Sequence, residues 1–80
     1  MFYVYVLKCR DGSFYTGYTN DLKKRLKLHN DGKGSKYTRS RLPVKIVAKW
    51  SFPSRSKAMK HEIMFKSLSR KTKMERIRKE

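Results

Sequence analysis

At 80 residues the chain holds one domain, residues 1–80, near the lower size at which a hydrophobic core sustains a fold unaided. Its 22 Lys and Arg stand against 6 Asp and Glu, a formal net charge of +16 that repels itself and is relieved by a polyanion. A single cysteine, Cys9, excludes an internal disulfide and a multi-cysteine zinc site and suits a reducing compartment. No apolar run approaches the ~18 residues of a membrane span, and the amino terminus enters directly on FYVYVL, so a soluble cytoplasmic protein within reach of the nucleoid is expected. The cations are spread through folded-looking segments, and no segment sets Lys and Arg opposite Trp, Phe and Leu, which favours nucleic acid over a membrane surface.

Residues 2–9, FYVYVLKC, are an apolar, β-branched and aromatic run that reads as a strand covered on both faces, with Cys9 a small buried residue. Asp11-Gly12 signals a hairpin, and Ser13 to Thr19 supplies the second strand. The length of the turn decides the chemistry. A two-residue loop would pair Tyr5 with Tyr18 and set Tyr5 and Tyr15 on opposite faces. A three-residue loop, Arg10-Asp11-Gly12 with Gly12 left-handed and bulged, pairs Tyr5 with Gly17 and Leu7 with Tyr15. Both tyrosines then share a face, and Gly17 leaves space opposite Tyr5. The second register is the one expected.

Thr19 or Asn20 is the expected cap of a helix whose first turn carries Asp21, running to His29 or Asn30. Leu22 and Leu26 form its buried stripe, flanked by Arg25 and His29. Asn30-Asp31-Gly32 is a stop signal. Residues 32–41, GKGSKYTRSR, have two glycines and no aliphatic residue and read as a basic loop. In VKIVAKW, alternation sets Val44, Ile46, Ala48 and Trp50 on one face and Lys45 and Lys49 on the other, a third strand. Ser54 or Ser56 starts a second helix reaching Leu68, and Ser69 caps a short third one carrying Met74 and Ile77.

Glu62 is the only acid between Asp31 and Glu75, and its helical neighbours are Ala58, Met59, Phe65 and Lys66. Such an acid is either one half of an ion pair with Lys66 or another cation, or a ligand for a hard divalent ion, since magnesium takes one or two protein carboxylates and fills its shell with water and phosphate oxygens. Arg25 offers a planar fork to a phosphate, against the plainer reading of a solvated helix residue. His29 suits a proton carrier or a phosphate donor, or simply complements the helix dipole. Tyr5 and Tyr15 are core aromatics unless nearby cations stabilise a phenolate. Tyr37, with Lys33, Lys36, Arg39 and Arg41 around it, suits a surface that tracks a nucleic-acid strand, or a solvated loop.

Tyr3-Val4-Tyr5, Tyr15-Thr16-Gly17, Arg25, His29 and Glu62 together resemble a GIY-YIG nuclease domain, and more closely the small stand-alone members related to the nuclease domain of structure-specific endonucleases. The likeness extends over nearly the whole chain. Tyr3 stands in place of the first motif glycine and Thr16 in place of the isoleucine. The resemblance implies an α+β fold, a three-stranded antiparallel sheet flanked by helices in the order β-β-α-β-α-α. It implies Mg2+- or Mn2+-dependent hydrolysis of phosphodiester bonds, in DNA rather than RNA, leaving 5′ phosphate and 3′ hydroxyl, in the repair or processing of branched DNA. Tyr5 and Tyr15 are then the motif tyrosines, Gly17 the motif glycine, Arg25 the phosphate contact and Glu62 the metal ligand, with His29 also in the site. Gly17, Lys33, Lys36, Tyr37, Arg39, Arg41 and Lys66 are the expected nucleic-acid contacts. The expected state is a monomer, with substrate specificity drawn from a protein partner where the chain itself does not supply it. The rival reading is a non-catalytic basic DNA- or RNA-binding module on the same fold.

Overall fold

Strand β1 (Phe2–Lys8) buries Val4, Tyr5, Val6 and Leu7 in succession, so both its faces are covered. It therefore takes the centre of an antiparallel sheet, between β2 (Phe14–Thr19) and β3 (Lys45–Phe52), in the order β2-β1-β3. The computed structural model describes residues 1–79, and its helices are α1 (Leu22–Asn30), α2 (Lys36–Arg39), α3 (Arg55–Lys66) and α4 (Arg70–Arg78). The fold class and the expected order hold, with one addition. The segment read as a loop contains the single turn α2, because Ser35 Oγ accepts the Thr38 amide at 3.1 Å and caps it.

The hairpin takes the three-residue loop. Gly12 has φ +86, its amide donates to the Cys9 carbonyl at 2.9 Å, and the Cys9 amide donates to Ser13 O at 2.8 Å. Asp11 fastens the turn, accepting from the Ser13 amide at 3.0 Å and from Arg41 Nε at 3.0 Å. Tyr5 consequently pairs with Gly17 and Leu7 with Tyr15.

Three local expectations are corrected. The α1 cap is Asp21, not Thr19 or Asn20: its extended backbone lets the carboxylate accept the Lys24 amide at 3.1 Å, while Thr19 Oγ1 accepts the Asp21 amide instead. The second helix starts after Ser54 and stops at Lys66, two residues short of Leu68, because the Ser67 hydroxyl turns back to the Met64 carbonyl at 2.6 Å. The alternation expected in β3 is also broken. Val6 pairs with Ala48 but Leu7 with Ile46, so Val47 is an extra residue in the ladder. Val44 and Ile46 consequently pack with Tyr5, Leu7 and Cys9, whereas Ala48 and Trp50 pack on the other face with Val6 and Phe65.

The two apolar clusters form the two layers of the core. On one face Leu22 and Leu26 of α1 pack on Tyr5 and Leu7, and on the other Phe65 of α3 and Ile77 of α4 pack on Val6 and Ala48. Asn30 ties the first layer to β3, accepting the Val44 amide at 2.9 Å and donating to the Val44 carbonyl at 3.2 Å. Val44 is buried, so Asn30→Ala strands both backbone groups. Urea denaturation is expected to show a loss of about 1–3 kcal/mol for this variant, with an unchanged m value.

Candidate active site

Gly17 is the residue around which the site assembles. A Cβ placed there would lie 2.6 Å from Tyr5 Oη and 2.8 Å from its Cζ, so only a glycine lets the Tyr5 ring rest on β2. Because β2 is an edge strand, groups from both faces of the sheet meet around it at this point. Tyr5, Tyr15 and Arg25 arrive from the α1 side, Arg55 and Glu62 from α3, and with Gly17 they line one open cavity of about 600 Å3. Four of the five residues expected to carry chemistry therefore share a cavity.

The fifth, His29, lies behind it. His29 is fully buried, its Nε2 is 3.1 Å from Tyr5 Oη, and its Nδ1 is 2.9 Å from Thr38 Oγ1. Tyr5 and Tyr15 both meet its ring edge-on, with centroids 5.9 and 5.2 Å away. The Thr38 hydroxyl reaches the Ser35 carbonyl at 3.4 Å. Ser35 Oγ lies closer, 3.0 Å from Thr38 Oγ1; with the Thr38 proton directed to Ser35, Thr38 Oγ1 receives the Nδ1 proton and Nε2 accepts from the Tyr5 hydroxyl, a tautomer assigned from the network. The loop closes over the ring at Gly34, where a Cβ would overlap the imidazole.

Burial, followed by Tyr15, pushes the Tyr5 hydroxyl well above the ordinary tyrosine range; Glu62 adds to the rise and Arg25 opposes it without overcoming it. The abundance of cations therefore does not turn Tyr5 into a phenolate. Burial and then Arg25 hold His29 below the ordinary imidazole range, so at neutral pH it is an uncharged acceptor. Glu62 approaches Lys66 at 3.7 Å, with 16% of its side chain exposed against 53% for Lys66. That is longer than the ~2.8 Å of a charge-assisted hydrogen bond, and the carboxylate still faces the cavity. The ion-pair reading of this acid is thus present, in a loose form.

The expected nucleic-acid contacts divide. Lys33, Lys36 and Arg39 are exposed on the segment that carries α2. Arg41 is engaged in holding that segment, through Asp11, the Tyr37 carbonyl at 2.8 Å and the Tyr37 ring at 4.0 Å. Tyr37 stacks on Tyr15 with centroids 6.1 Å apart. None of these five lines the cavity. Residues not anticipated are Arg55, Thr38, Ser35 and Gly34. Arg55 donates to the Tyr18 hydroxyl at 3.3 Å, and its separation from Glu62 by two helical turns was a usable signal. The Thr38 and Gly34 contacts exist only once the loop folds back on α1.

Among the described residues no group of three or more His, Cys, Asp or Glu could hold a metal ion. Glu62 is one carboxylate in an open, polar cavity beside an arginine, a donor set that fits magnesium, which keeps several waters, rather than zinc.

Since His29 is held uncharged in the folded chain and gains a proton more readily when unfolded, its contribution to stability is full above about pH 6.5. It is lost as pH falls through the lowered folded value. Thermal melts between pH 7.5 and 5 are expected to show a falling Tm, with a shallower slope for His29→Gln.

The family described as the GIY-YIG catalytic domain matches residues 1–75. A UPF0213 protein of Bacillus licheniformis is 62% identical over 71 residues, covering 89% of this chain and 73% of the relative. The UPF0213 protein YazA of Bacillus subtilis is 55% identical over 71 residues, covering 89% and 72%. Among solved structures, the solution NMR structure of a UPF0213 protein from Bacillus halodurans superposes with a TM-score of 0.63 at 52% identity, covering 96% of this chain and 83% of the other. That of the protein EF2693 from E. faecalis gives 0.65 at 47% identity, covering 96% and 82%. Matched by the family model over residues 1–75 and by relatives of this identity, the chain belongs to the GIY-YIG catalytic domain family and is a relative of the UPF0213 proteins.

Proposed function

We propose that the protein is a divalent-metal-dependent endonuclease that hydrolyses phosphodiester bonds in DNA, acting on branched forms in the cytoplasm. The observation that carries this reading is the cavity shared by Tyr5, Tyr15, Arg25 and Glu62, with the Tyr5 hydroxyl backed by the acceptor nitrogen of a buried histidine. Family membership supports nuclease chemistry, and the formal charge of +16 supports a nucleic-acid substrate.

Arg25 would place its guanidinium against the scissile phosphate and offset the charge that builds there. Tyr5 would take a proton from the attacking water while passing its own to His29 Nε2, so that no free phenolate is required. The lone pair of the uncharged imidazole makes that transfer available. Thr38 would hold the ring in the tautomer this needs. Tyr15, at the mouth beside Tyr5, would position water or phosphate. Glu62 would hold Mg2+ or Mn2+, which when bound supplies Lewis-acid stabilisation of the leaving 3′ oxygen.

The rival, a non-catalytic basic binding module, is favoured by one observation, the Lys66 ammonium that partly neutralises Glu62. Metal dependence separates the two. Purified protein incubated with duplex and branched DNA is expected to cleave only with magnesium or manganese. Tyr5→Phe, which keeps the ring, is expected to lose about 10²–10⁴-fold in rate, and Glu62→Gln a comparable factor, with Tm within a few degrees of the parent. Cleavage unchanged in Glu62→Gln would overturn the proposal. Metal-independent binding without cleavage, tightened by Glu62→Gln, would support the module.

A further inference from the structure

Arg25 and Arg55 both line the cavity, yet only Arg25 has a part in the reaction proposed above. Arg55 is the first residue of α3, and Ser54 caps the helix ahead of it by accepting the Lys57 amide at 3.2 Å. Glu62 follows two helical turns later, so the two side chains leave the same side of α3 about 10 Å apart along its axis. A cation in the first turn faces the positive end of the helix dipole, and no acid is present there to offset it. The position gains the fold nothing from charge.

The Arg55 side chain is nevertheless held. Its Nε donates to Tyr18 Oη at 3.3 Å, and its Cζ lies 5.9 Å from the centre of the Tyr18 ring. Among the described residues it makes no other hydrogen bond and no ion pair. With Nε engaged, the two terminal nitrogens form the free edge of the guanidinium, an edge that matches two oxygens of one phosphate. Side chains alternate along a strand, so Tyr18 projects to the face of β2 opposite Tyr15. Arg25 thus reaches the cavity from α1 on the Tyr15 side, and Arg55 from α3 on the Tyr18 side. A phosphate held between Arg25 and the two motif tyrosines leaves Arg55 for a different one.

We propose that Arg55, steadied by Tyr18, holds the phosphate next to the scissile one, so that productive binding takes two adjacent phosphates, one for each arginine. The inference rests on the nuclease reading for which phosphate is cut. Arg55 then sets how tightly DNA is held, and Arg25 how fast it is cut.

Two measurements test this: steady-state cleavage of a branched duplex with magnesium, and fluorescence anisotropy of the same labelled DNA without divalent metal over a salt series. Arg55→Gln is expected to raise KM about tenfold with kcat within about twofold of the parent. It is also expected to lower the slope of log affinity against log salt by about 0.9, the share of one phosphate. Arg55→Lys keeps the charge and is expected to keep the slope and recover most of the KM, while Tyr18→Phe falls between the parent and Arg55→Gln in KM. Arg25→Gln is expected to lower kcat instead. Lys60→Gln, an exposed position on the other side of α3 and outside the cavity, is expected to keep the parent KM and slope.

An unchanged KM in Arg55→Gln overturns the proposal, as does a fall of about tenfold in its kcat or an equal rise in KM for Lys60→Gln. A parent KM in Tyr18→Phe removes Tyr18 from the assignment. If the parent cleaves and the slope is unchanged in Arg55→Gln, the Arg55 assignment fails and the nuclease reading stands. If the parent cleaves with no divalent metal supplied or withheld, while the slope falls in Arg55→Gln and not in Lys60→Gln, metal dependence fails and Arg55 stands; if it does not cleave at all and the slopes behave so, the nuclease reading fails and Arg55 stands as a phosphate contact.

Discussion

The site depends on the close approach of Tyr5 to Gly17. That contact requires an antiparallel register in which the two residues face each other, and the register in turn requires the three-residue turn closed by left-handed Gly12. One residue fewer in the turn would put Tyr15 on the far face, away from His29 and Arg25. The missing Cβ at Gly17 lets the Tyr5 ring lean over the strand toward the edge, where α1 and α3 deliver their side chains from opposite sides of the sheet. The hairpin is thus the frame on which two separate core layers contribute to one cavity.

The scarcity of acids gives Glu62 its meaning. In a chain of this charge the acids with visible structural work are at turns and helix ends. Asp11 fastens the hairpin to Arg41, Asp21 caps α1, and Asp31 pairs with Lys27 at 3.0 Å beyond the helix end. These contacts are exposed and individually weak. Glu62 differs in being mostly covered and in facing a cavity that also holds an arginine and two tyrosines. Its place in that cavity, without a close ion pair, is the observation on which the metal-binding proposal draws.

Much of this was legible from local chemistry. Asp-Gly marked the turn but allowed two registers, of which the one that sets Tyr5 and Tyr15 on one face is found, and a lone acid in an apolar helical stripe was enough to single out Glu62. Serine caps at 54 and 69 followed from their position before periodic segments. What escaped was tertiary. The alternation of Val44, Ile46, Ala48 and Trp50 is unbroken in the sequence, and only the differing demands of the two core layers force the bulge at Val47. His29 read as a proton carrier, a phosphate donor or a helix-dipole partner. Its burial arises because the α2 segment folds over it, with Gly34 admitting the ring and Thr38 binding its far nitrogen. The docking of α4 depends on Arg70 reaching the hairpin at Gly12, a contact between residues 58 positions apart.

The proposed function requires one edge of the small sheet to gather a proton relay, a phosphate contact and a metal-binding carboxylate. Paramagnetic broadening by Mn2+ in the ¹H–¹⁵N NMR spectrum tests it most directly. At substoichiometric Mn2+ the account predicts selective loss of the amide signals of Tyr5, Gly17 and Glu62, with Asp31 and Glu75 unaffected, and no such selectivity in Glu62→Gln. Broadening centred on Asp31 or Glu75, or an identical pattern in the variant, would contradict it.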